Sequence, residues 1–374
     1  MASEARALTA QLSRASSSEL LCLIVSDVSR FNLVHVATSL HRLAKSRPLP
    51  ARPGGSDSRW KRTLSAATAL THAGQADEVA AAWEMLCERG ADLMRHNAHP
   101  VSARSLTSLV WALGRLGRRH RALLEALTRE AHAQLARRAL DAFGIANVAW
   151  ALASLHAAEA AASTQTVEVE HSELLDALAE AACRAPEAFK PQETTNLLWA
   201  FATLGRRHER LFDALGRAAA ARMAEFTPQG LSQTLWASAK LGLAKHDLLA
   251  AAAAAALPRL GSYDVQSIAT LSWAFASCEY EHRALMAAVC RVALARPGDF
   301  DAASCSQLLW ALSRLHEGVV AEAVSALSQR LRAVAADGLQ SQQLLYALGA
   351  LAKLPAQGGC LLYTSPSPRD GLLS

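Results

Sequence analysis

The sequence predicts an all-α protein, an α-solenoid of about 37-residue helix-turn-helix repeats wound into a right-handed superhelix. Three observations predict this fold. An aromatic residue recurs at a near-constant interval, the same short sequence motif surrounds it, and a helix-capping residue precedes it by nine positions. Self-similarity at a fixed period of this length is typical of stacked helical repeats.

The recurring aromatic residue occupies Trp111, Trp150, Trp199, Trp236, Trp273, Trp310 and Tyr346, at successive intervals of 39, 49, 37, 37, 37 and 36 residues. The sequence motifs around it are similar, as in NLLWAFATLG, QTLWASAKLG and QLLWALSRLH, and Ala follows the aromatic residue every time. We number repeat positions from this residue, so that the Ala is at position +1. These seven similar motifs define the first helix of each repeat.

In nearly every repeat, position −9 is occupied by a residue that can cap the N-terminus of a helix. It is occupied by Ser102, Asp141, Lys190, Thr227, Asp264, Asp301 and Asp337. All but the Lys can accept hydrogen bonds from the free N–H groups of a first helical turn. Pro191 follows the Lys and Pro228 follows the Thr, and Pro is favoured at the first helical position.

A helical wheel at 100° per residue separates two faces of the first helix. Positions −2, +2 and +5 are nearly all Leu, Val or Phe, as in Leu197, Phe201 and Leu204, and are predicted to be buried. Positions −3, +1 and +4 form a narrower stripe with a hydrogen-bonding residue, an Ala and usually a polar or basic residue. The Trp is expected beside this stripe, packing between repeats rather than stacking on bases.

This stripe is the predicted functional surface. Amides can recognise the edges of unstacked bases, and Arg or Lys can contact phosphates. The RNA-binding candidates are Ser108, Arg115, Asn147, Asn196, Thr203, Gln233, Lys240, Thr270, Ser277, Gln307, Arg314 and Gln343. The structural alternative is that the small and amide residues only let adjacent helices approach.

The second helix of a repeat is marked by His followed by x-x-Leu, at His120, His171, His208, His246 and His282. Recurrence at one place in each repeat favours a turn or packing role over catalysis. The interval from Trp150 to His171 is longer than in the other repeats, which places an insertion near 157–169 as a surface loop.

The regular repeats span 102–354, and their flanks diverge. Residues 1–28 form an N-terminal segment with the composition of a weak transit peptide. Residues 29–101 are predicted to be divergent repeats, with a first helix at 29–45 that has Thr38 in the aromatic position, a Pro/Gly/Ser linker at 46–58 and a hairpin at 59–100 containing Trp60 and Trp83. Residues 355–374 resemble translated non-coding or adaptor sequence, with a disordered tail as the alternative.

Composition excludes several classes of function. A net charge of +5 permits a nucleic-acid partner without requiring one. The seven Cys form no CxxC pair, which argues against a zinc site or disulfide framework. The longest apolar run, 250–257, is too short to cross a membrane. No P-loop, HExxH, nucleophile elbow or kinase motif is present, so we expect no catalysis, cofactor, metal or small-molecule substrate.

The repeat word NLLWAFATLG and its variants resemble the octotricopeptide and heptatricopeptide repeats of the FAST-kinase-like and RAP group of organellar RNA-binding proteins. They are also similar to a subunit family of the RNA-editing substrate-binding complex. The resemblance covers 102–354 and, weakly, 29–45. It implies a non-catalytic protein of mitochondria or chloroplasts that binds single-stranded RNA along its concave face. It also implies a role in RNA processing, mRNA stability, editing or translation, beside other RNA-processing proteins.

Many members of that group end in a RAP domain, which residues 355–374 do not resemble. If the tail is not native, a RAP domain could have been lost together with the native C-terminus. The alternative function is a protein-protein interaction scaffold of the armadillo or HEAT type, which the modest net charge favours.

Overall fold

The structure, a computed structural model, describes residues 2–46, 66–96, 101–162, 171–314, 320–335 and 339–351. Within these ranges the regular elements are 17 α-helices and five short 3-10 segments, with no strand. The chain divides into two compact units, Met1–Ala255 and Ala256–Ser374. The predicted all-α, solenoid-like repeat fold is therefore confirmed.

The helices of the first unit are α1 (Ala2–Arg14), α2 (Ser17–Asp27), α3 (Leu33–Ser46), α4 (Ala66–His96), α5 (Ala103–Leu116), α6 (Arg121–Ala136), α7 (Ala142–Ala162), α8 (Ser172–Arg184), α9 (Pro191–Thr203), α10 (Glu209–Ala221), α11 (Pro228–Lys240) and α12 (His246–Ala256), which reaches the boundary. Those of the second unit are α13 (Val265–Ser277), α14 (Arg283–Ala295), α15 (Ala302–Leu312), α16 (Val320–Val334) and α17 (Ser341–Leu351). None of them is long and apolar enough to cross a membrane.

Each unit consists of two layers of helices. In the first unit the first helices α1, α3, α5, α7, α9 and α11 pack side by side in chain order, and α2, α4, α6, α8 and α10 do the same in the second layer. In the second unit α13, α15 and α17 form one layer, and α14 and α16 form the other. Each repeat is thus a helical hairpin that buries its apolar face against the hairpins beside it.

The predicted capping residues begin the first helices. The side chains of Ser102, Asp141, Thr227, Asp264 and Asp301 each accept a hydrogen bond from the backbone N–H three residues on, at 2.8–3.1 Å. At α9 the Lys190 side chain makes no capping bond, and its backbone N donates instead to Glu193 Oε2 at 2.9 Å. Asp337 lies outside the described residues, and at α17 the Gln340 N–H donates to Gln343 Oε1.

Replacing a capping carboxylate should destabilise the protein measurably. Asp264 Oδ1 accepts from Ser267 N at 2.8 Å and Oδ2 accepts from Ser267 Oγ at 2.7 Å. We expect Asp264→Ala to lower the free energy of unfolding by about 1 kcal/mol, because it leaves a first-turn N–H without a partner. Lys190→Ala, at the equivalent position of α9, is the matched control. Equal losses for the two variants in urea denaturation would contradict a capping role.

The predicted buried face of the first helices is confirmed except in α17, where Leu344 and Leu348, at positions −2 and +2, are exposed. Leu197 and Phe201 are fully buried and Leu204 is 8% exposed. The Ala at position +1 is also buried in every repeat, whereas the wheel had placed it in the polar stripe. This placement was wrong because position +1 contacts the neighbouring first helix: a Cβ on Gly114 of α5 would lie 2.6 Å from the Cα of Ala151, the +1 residue of α7.

The N-terminal residues belong to the array. Helices α1 and α2 pack on α3 and α4, burying Leu12, Leu20 and Ile24, so 2–27 is a hairpin rather than a separate segment. The register assigned to α3 was wrong by three residues. His41, and not Thr38, occupies the aromatic position, and its ring lies 4.6 Å from that of Trp111. Asn32, nine residues earlier, accepts from His35 N and caps the helix.

Two other predicted boundaries change. Residues 66–96 form the single helix α4, which packs on α2, α3 and α6 and contains the buried Trp83. These residues therefore do not form the helical hairpin that was predicted for 59–100. Residues 157–162 of the predicted insertion continue helix α7. Trp60, the linker at 47–58, the remainder of the insertion at 163–170 and the tail at 355–374 lie outside the described residues.

Candidate nucleic-acid interface

The open surface of the first helices is formed by positions −7, −3, 0 and +4, which we call the first-helix surface. Residues at these positions are exposed or half-buried in most repeats, while the positions between them are buried. The four positions are spaced by three or four residues and therefore lie on one face of a helix. The recurring Trp is on this surface, and not beside it as predicted, because position +1 faces the adjacent helix.

The aromatic rings on this surface contact one another between repeats. In the second unit Trp273 stacks on Trp310 with ring centroids 6.0 Å apart and planes at 27°, and Trp310 lies 5.6 Å from Tyr346. These contacts confirm that the Trp packs repeat on repeat. The rings remain half-buried, so part of each is still accessible on the open surface.

The hydrogen-bonding residues at position −3 are not equivalent. Asn147 is 5% exposed, and its Nδ2 donates to the Phe143 carbonyl at 2.8 Å, so its amide is turned into the protein and is a poor candidate for a ligand contact. Asn196 Oδ1 accepts from Gln192 Nε2, and Gln343 Oε1 serves to cap α17. The half-exposed members that no side-chain hydrogen bond engages within the described ranges are Ser108, Gln233, Thr270 and Gln307.

The residues at position +4 divide into basic and small ones. The Lys240 ammonium lies 4.8 Å from the Trp236 ring centroid, and the Arg314 guanidinium lies 4.2 Å from that of Trp310, within cation–π range. Burial lowers the pKa of Lys240 and that of Arg115. The Oγ1 of Thr203 and the Oγ of Ser277 are buried, which weakens these two as ligand contacts.

Charge is divided between the two layers of the first unit. Helices α5, α7, α9 and α11 contain just two acidic residues. One is Glu193, which is buried in the cap of α9, and the other is Glu159, which pairs with Arg119 at 3.0 Å at the far end of α7. The second helices α6, α8 and α10 carry seven acidic residues, Glu125, Glu130, Glu173, Asp176, Glu180, Glu209 and Asp213, beside five Arg residues, Arg121, Arg129, Arg184, Arg210 and Arg217. An anion therefore meets far less repulsion on the first-helix surface.

The repeated His residues cap the second helices. The Nδ1 of His120, of His208 and of His282 accepts a hydrogen bond from the backbone N–H three residues on, at 3.1–3.2 Å. This confirms the turn role predicted for them. His171 instead adopts a left-handed backbone at φ 61°, and His246 is the first residue of α12.

One exposed side chain escaped the sequence reasoning. Phe143, at position −7 of α7, is 55% exposed on the first-helix surface. The equivalent positions of the other regular repeats in this unit are polar, at Arg104, Gln192 and Gln229. Position −7 lies outside the predicted stripe of −3, +1 and +4, and it is also apolar at Val34, Ala303 and Leu339, so what distinguishes Phe143 in the sequence is its aromatic ring.

The described Cys residues are free thiols. Burial is the main cause that raises the pKa of Cys183, Cys278 and Cys290, and it raises the pKa of Cys305 to about 12. These thiols stay protonated at neutral pH and act as small apolar side chains. Within the described ranges, no group of three or more His, Cys, Asp or Glu residues could hold a metal ion.

A family model matches part of the chain. No curated protein matches the chain. Residues 154–257, from the +4 residue of α7 to the end of α12, match the family model described as RNA-editing substrate-binding complex 6 protein. The matched region contains the repeats with Asn196, Gln233 and Lys240 on their first-helix surface, and over this part the chain is similar to an RNA-editing-related family of helical proteins.

Proposed function

We propose that this protein binds single-stranded RNA without catalysis, on the first-helix surface of its helical repeats. The observation that carries the proposal is the distribution of charge: helices α5, α7, α9 and α11, which present amides, half-buried aromatic rings and the cations Arg104, Arg115 and Lys240, are nearly free of exposed carboxylates. Phosphates favour such a surface, and unstacked bases can use the amides and rings.

The family match supports the biological setting. The family's name associates it with an RNA-editing substrate-binding complex, and the match covers repeats of the first unit. We propose that this chain acts in organellar RNA editing or processing, in mitochondria or chloroplasts, beside other RNA-processing proteins. Binding should be tested by filter titration of the full chain with organellar single-stranded transcripts at several salt concentrations. Absence of binding, or binding insensitive to salt, would contradict the proposal.

We expect two residues at position −3 to behave differently on substitution. Gln233→Ala should change base preference at one RNA position by about 10-fold with little effect on stability, because its half-exposed amide is available to a base. Asn147→Ala should lower stability and leave base preference unchanged, because that amide is buried on the Phe143 carbonyl. Selection from a random RNA pool with each variant measures the preference. A preference altered by Asn147→Ala and not by Gln233→Ala would reverse the assignment.

One observation favours the alternative of a protein-interaction scaffold. Helix α17 exposes Leu344, Leu345 and Leu348 by 39%, 64% and 45%, although the equivalent Leu308, Leu309 and Leu312 of α15 are buried. A second protein could cover these leucines. Pull-down of a partner that survives nuclease treatment and is lost on Leu345→Lys would favour this function over RNA binding.

A further inference from the structure

Phe143 presents a phenyl ring to solvent at a defined place in the repeat. It is 55% exposed on α7, and the helices on either side, α5 and α9, carry Arg104 and Gln192 at the same position. The exposed phenyl ring is apolar area that water solvates poorly, and it is larger than that of Val34, the other exposed apolar side chain at this position among the described repeats of the unit. The ring is therefore a candidate contact for a flat apolar ligand surface.

The hydrogen-bonding residue of the same repeat is turned away from the surface. Asn147 lies one turn after Phe143, and its amide donates to the Phe143 carbonyl at 2.8 Å. In α9 and α11 the equivalent Asn196 and Gln233 are half-exposed. Helix α7 thus differs from α9 and α11 by exposing an aromatic ring in place of an amide.

Charge around the ring favours an anionic ligand with aromatic groups. Arg104 is exposed on the adjacent helix, and no exposed carboxylate lies on α5, α9 or α11. In the repeat of Phe143 itself the exposed carboxylate is Asp141, whose Oδ1 accepts the capping hydrogen bond of α7. Single-stranded nucleic acids combine phosphates with bases, and each base has a π-face that can stack on an aromatic side chain.

We propose that Phe143 is a stacking site for one base of a bound single-stranded RNA. The inference rests on the proposed RNA-binding function and makes one repeat different in kind from the others. The repeat of α7 tolerates any base, because stacking uses the π-face that all four bases share, while repeats with an exposed amide discriminate among bases.

The test uses the full chain and a short single-stranded RNA selected by the wild-type protein from a random pool. Fluorescent 2-aminopurine replaces each base in turn, since stacking on an aromatic ring quenches its emission. We expect quenching at one nucleotide that Phe143→Leu abolishes and Phe143→Tyr retains. Phe143→Leu should weaken binding on the order of 10-fold.

Val25→Ala is the matched control, because Val25 is 62% exposed on α2 in the second layer and should affect neither signal. Thermal melting verifies that all variants remain folded. If the wild type binds RNA and Phe143→Leu changes neither quenching nor affinity, the stacking site is refuted while the proposed function stands. If the wild type binds no RNA, both are refuted. Loss of a protein partner with Phe143→Leu, without change in RNA binding, would assign the ring to a protein interface and overturn the inference.

Discussion

Gly114→Ala is expected to lower the free energy of unfolding by about 2 kcal/mol, a loss that results when an overpacking cost of about 3 kcal/mol outweighs the gain of about 1 kcal/mol in helix propensity. The added Cβ would lie 2.6 Å from the Cα of Ala151 and 2.9 Å from its Cβ. Because the nearest atom is backbone, α5 and α7 must move apart to accept the methyl group. Urea denaturation measures the loss, and hydrogen exchange should show it first in α5 and α7.

Gly216→Ala provides the same chemical change with the opposite expectation. Gly216 lies inside α10, and a Cβ there would meet only Leu248 Cδ2 at 3.9 Å, an ordinary contact. This variant should gain up to about 1 kcal/mol, because Ala loses less backbone entropy than Gly on forming a helix. Position +3, which is Gly114 in α5, is Ala153 in α7, and this Ala is fully buried. The distance between α7 and its neighbours therefore leaves room for a methyl group at position +3. If Gly114→Ala were as stable as Gly216→Ala, Gly114 would not set the spacing between α5 and α7.

The double substitution Arg115→Glu with Lys240→Glu should weaken binding to single-stranded RNA on the order of 100-fold in about 50 mM salt. Both cations occupy position +4 on the first-helix surface of one unit, where carboxylates are scarce. Their reversal replaces two attractions for phosphate with two repulsions. The slope of log affinity against log salt should fall by about 1.4, at about 0.7 per phosphate contact for a single strand. Filter binding over a range of salt concentrations measures both quantities.

Arg129→Glu with Arg184→Glu is the matched control for this experiment. Arg129 and Arg184 are exposed on α6 and α8, in the second layer, and the change in net charge is the same. We expect at most a small loss of affinity, from the weaker long-range attraction between protein and RNA. Equal effects of the two doubles would show that RNA is attracted by overall charge and does not occupy the first-helix surface.

The two predictions concern related features of the molecule. Small residues at positions +1 and +3 allow close approach of the first helices, and the residues at −7, −3, 0 and +4 then form one surface with the same positions of the next repeat. A base-by-base contact along single-stranded RNA requires regular spacing of that surface. Gly114→Ala should therefore also weaken RNA binding through α5 and α7, even at temperatures where the protein stays folded.

Much of the local structure could be predicted from the sequence because it depends on residues three or four apart. The regular spacing of the Trp-containing motifs predicted where the first helices lie, and capping residues such as Asp264 and Asp301 accept from a backbone N–H three residues away. The recurrence of His120, His208 and His282 likewise indicated a turn role, since their capping bond is equally local. The apolar period of Leu197 and Phe201 predicted burial without knowledge of their partners.

The tertiary structure decided what each remaining face contacts. A helical wheel assigns an angle to the Ala at position +1 but does not show what covers it. In the structure the neighbouring first helix covers it: a Cβ on Gly114 of α5 would lie 2.6 Å from the Cα of Ala151 in α7. The same packing leaves the Trp edges and Phe143 open, buries Asn147, and aligns His41 with Trp111 across a pair of helices far apart in sequence. Contacts between repeats depend on how closely whole helices pack, and that spacing is a property of both partners together, which the period of one helix does not contain.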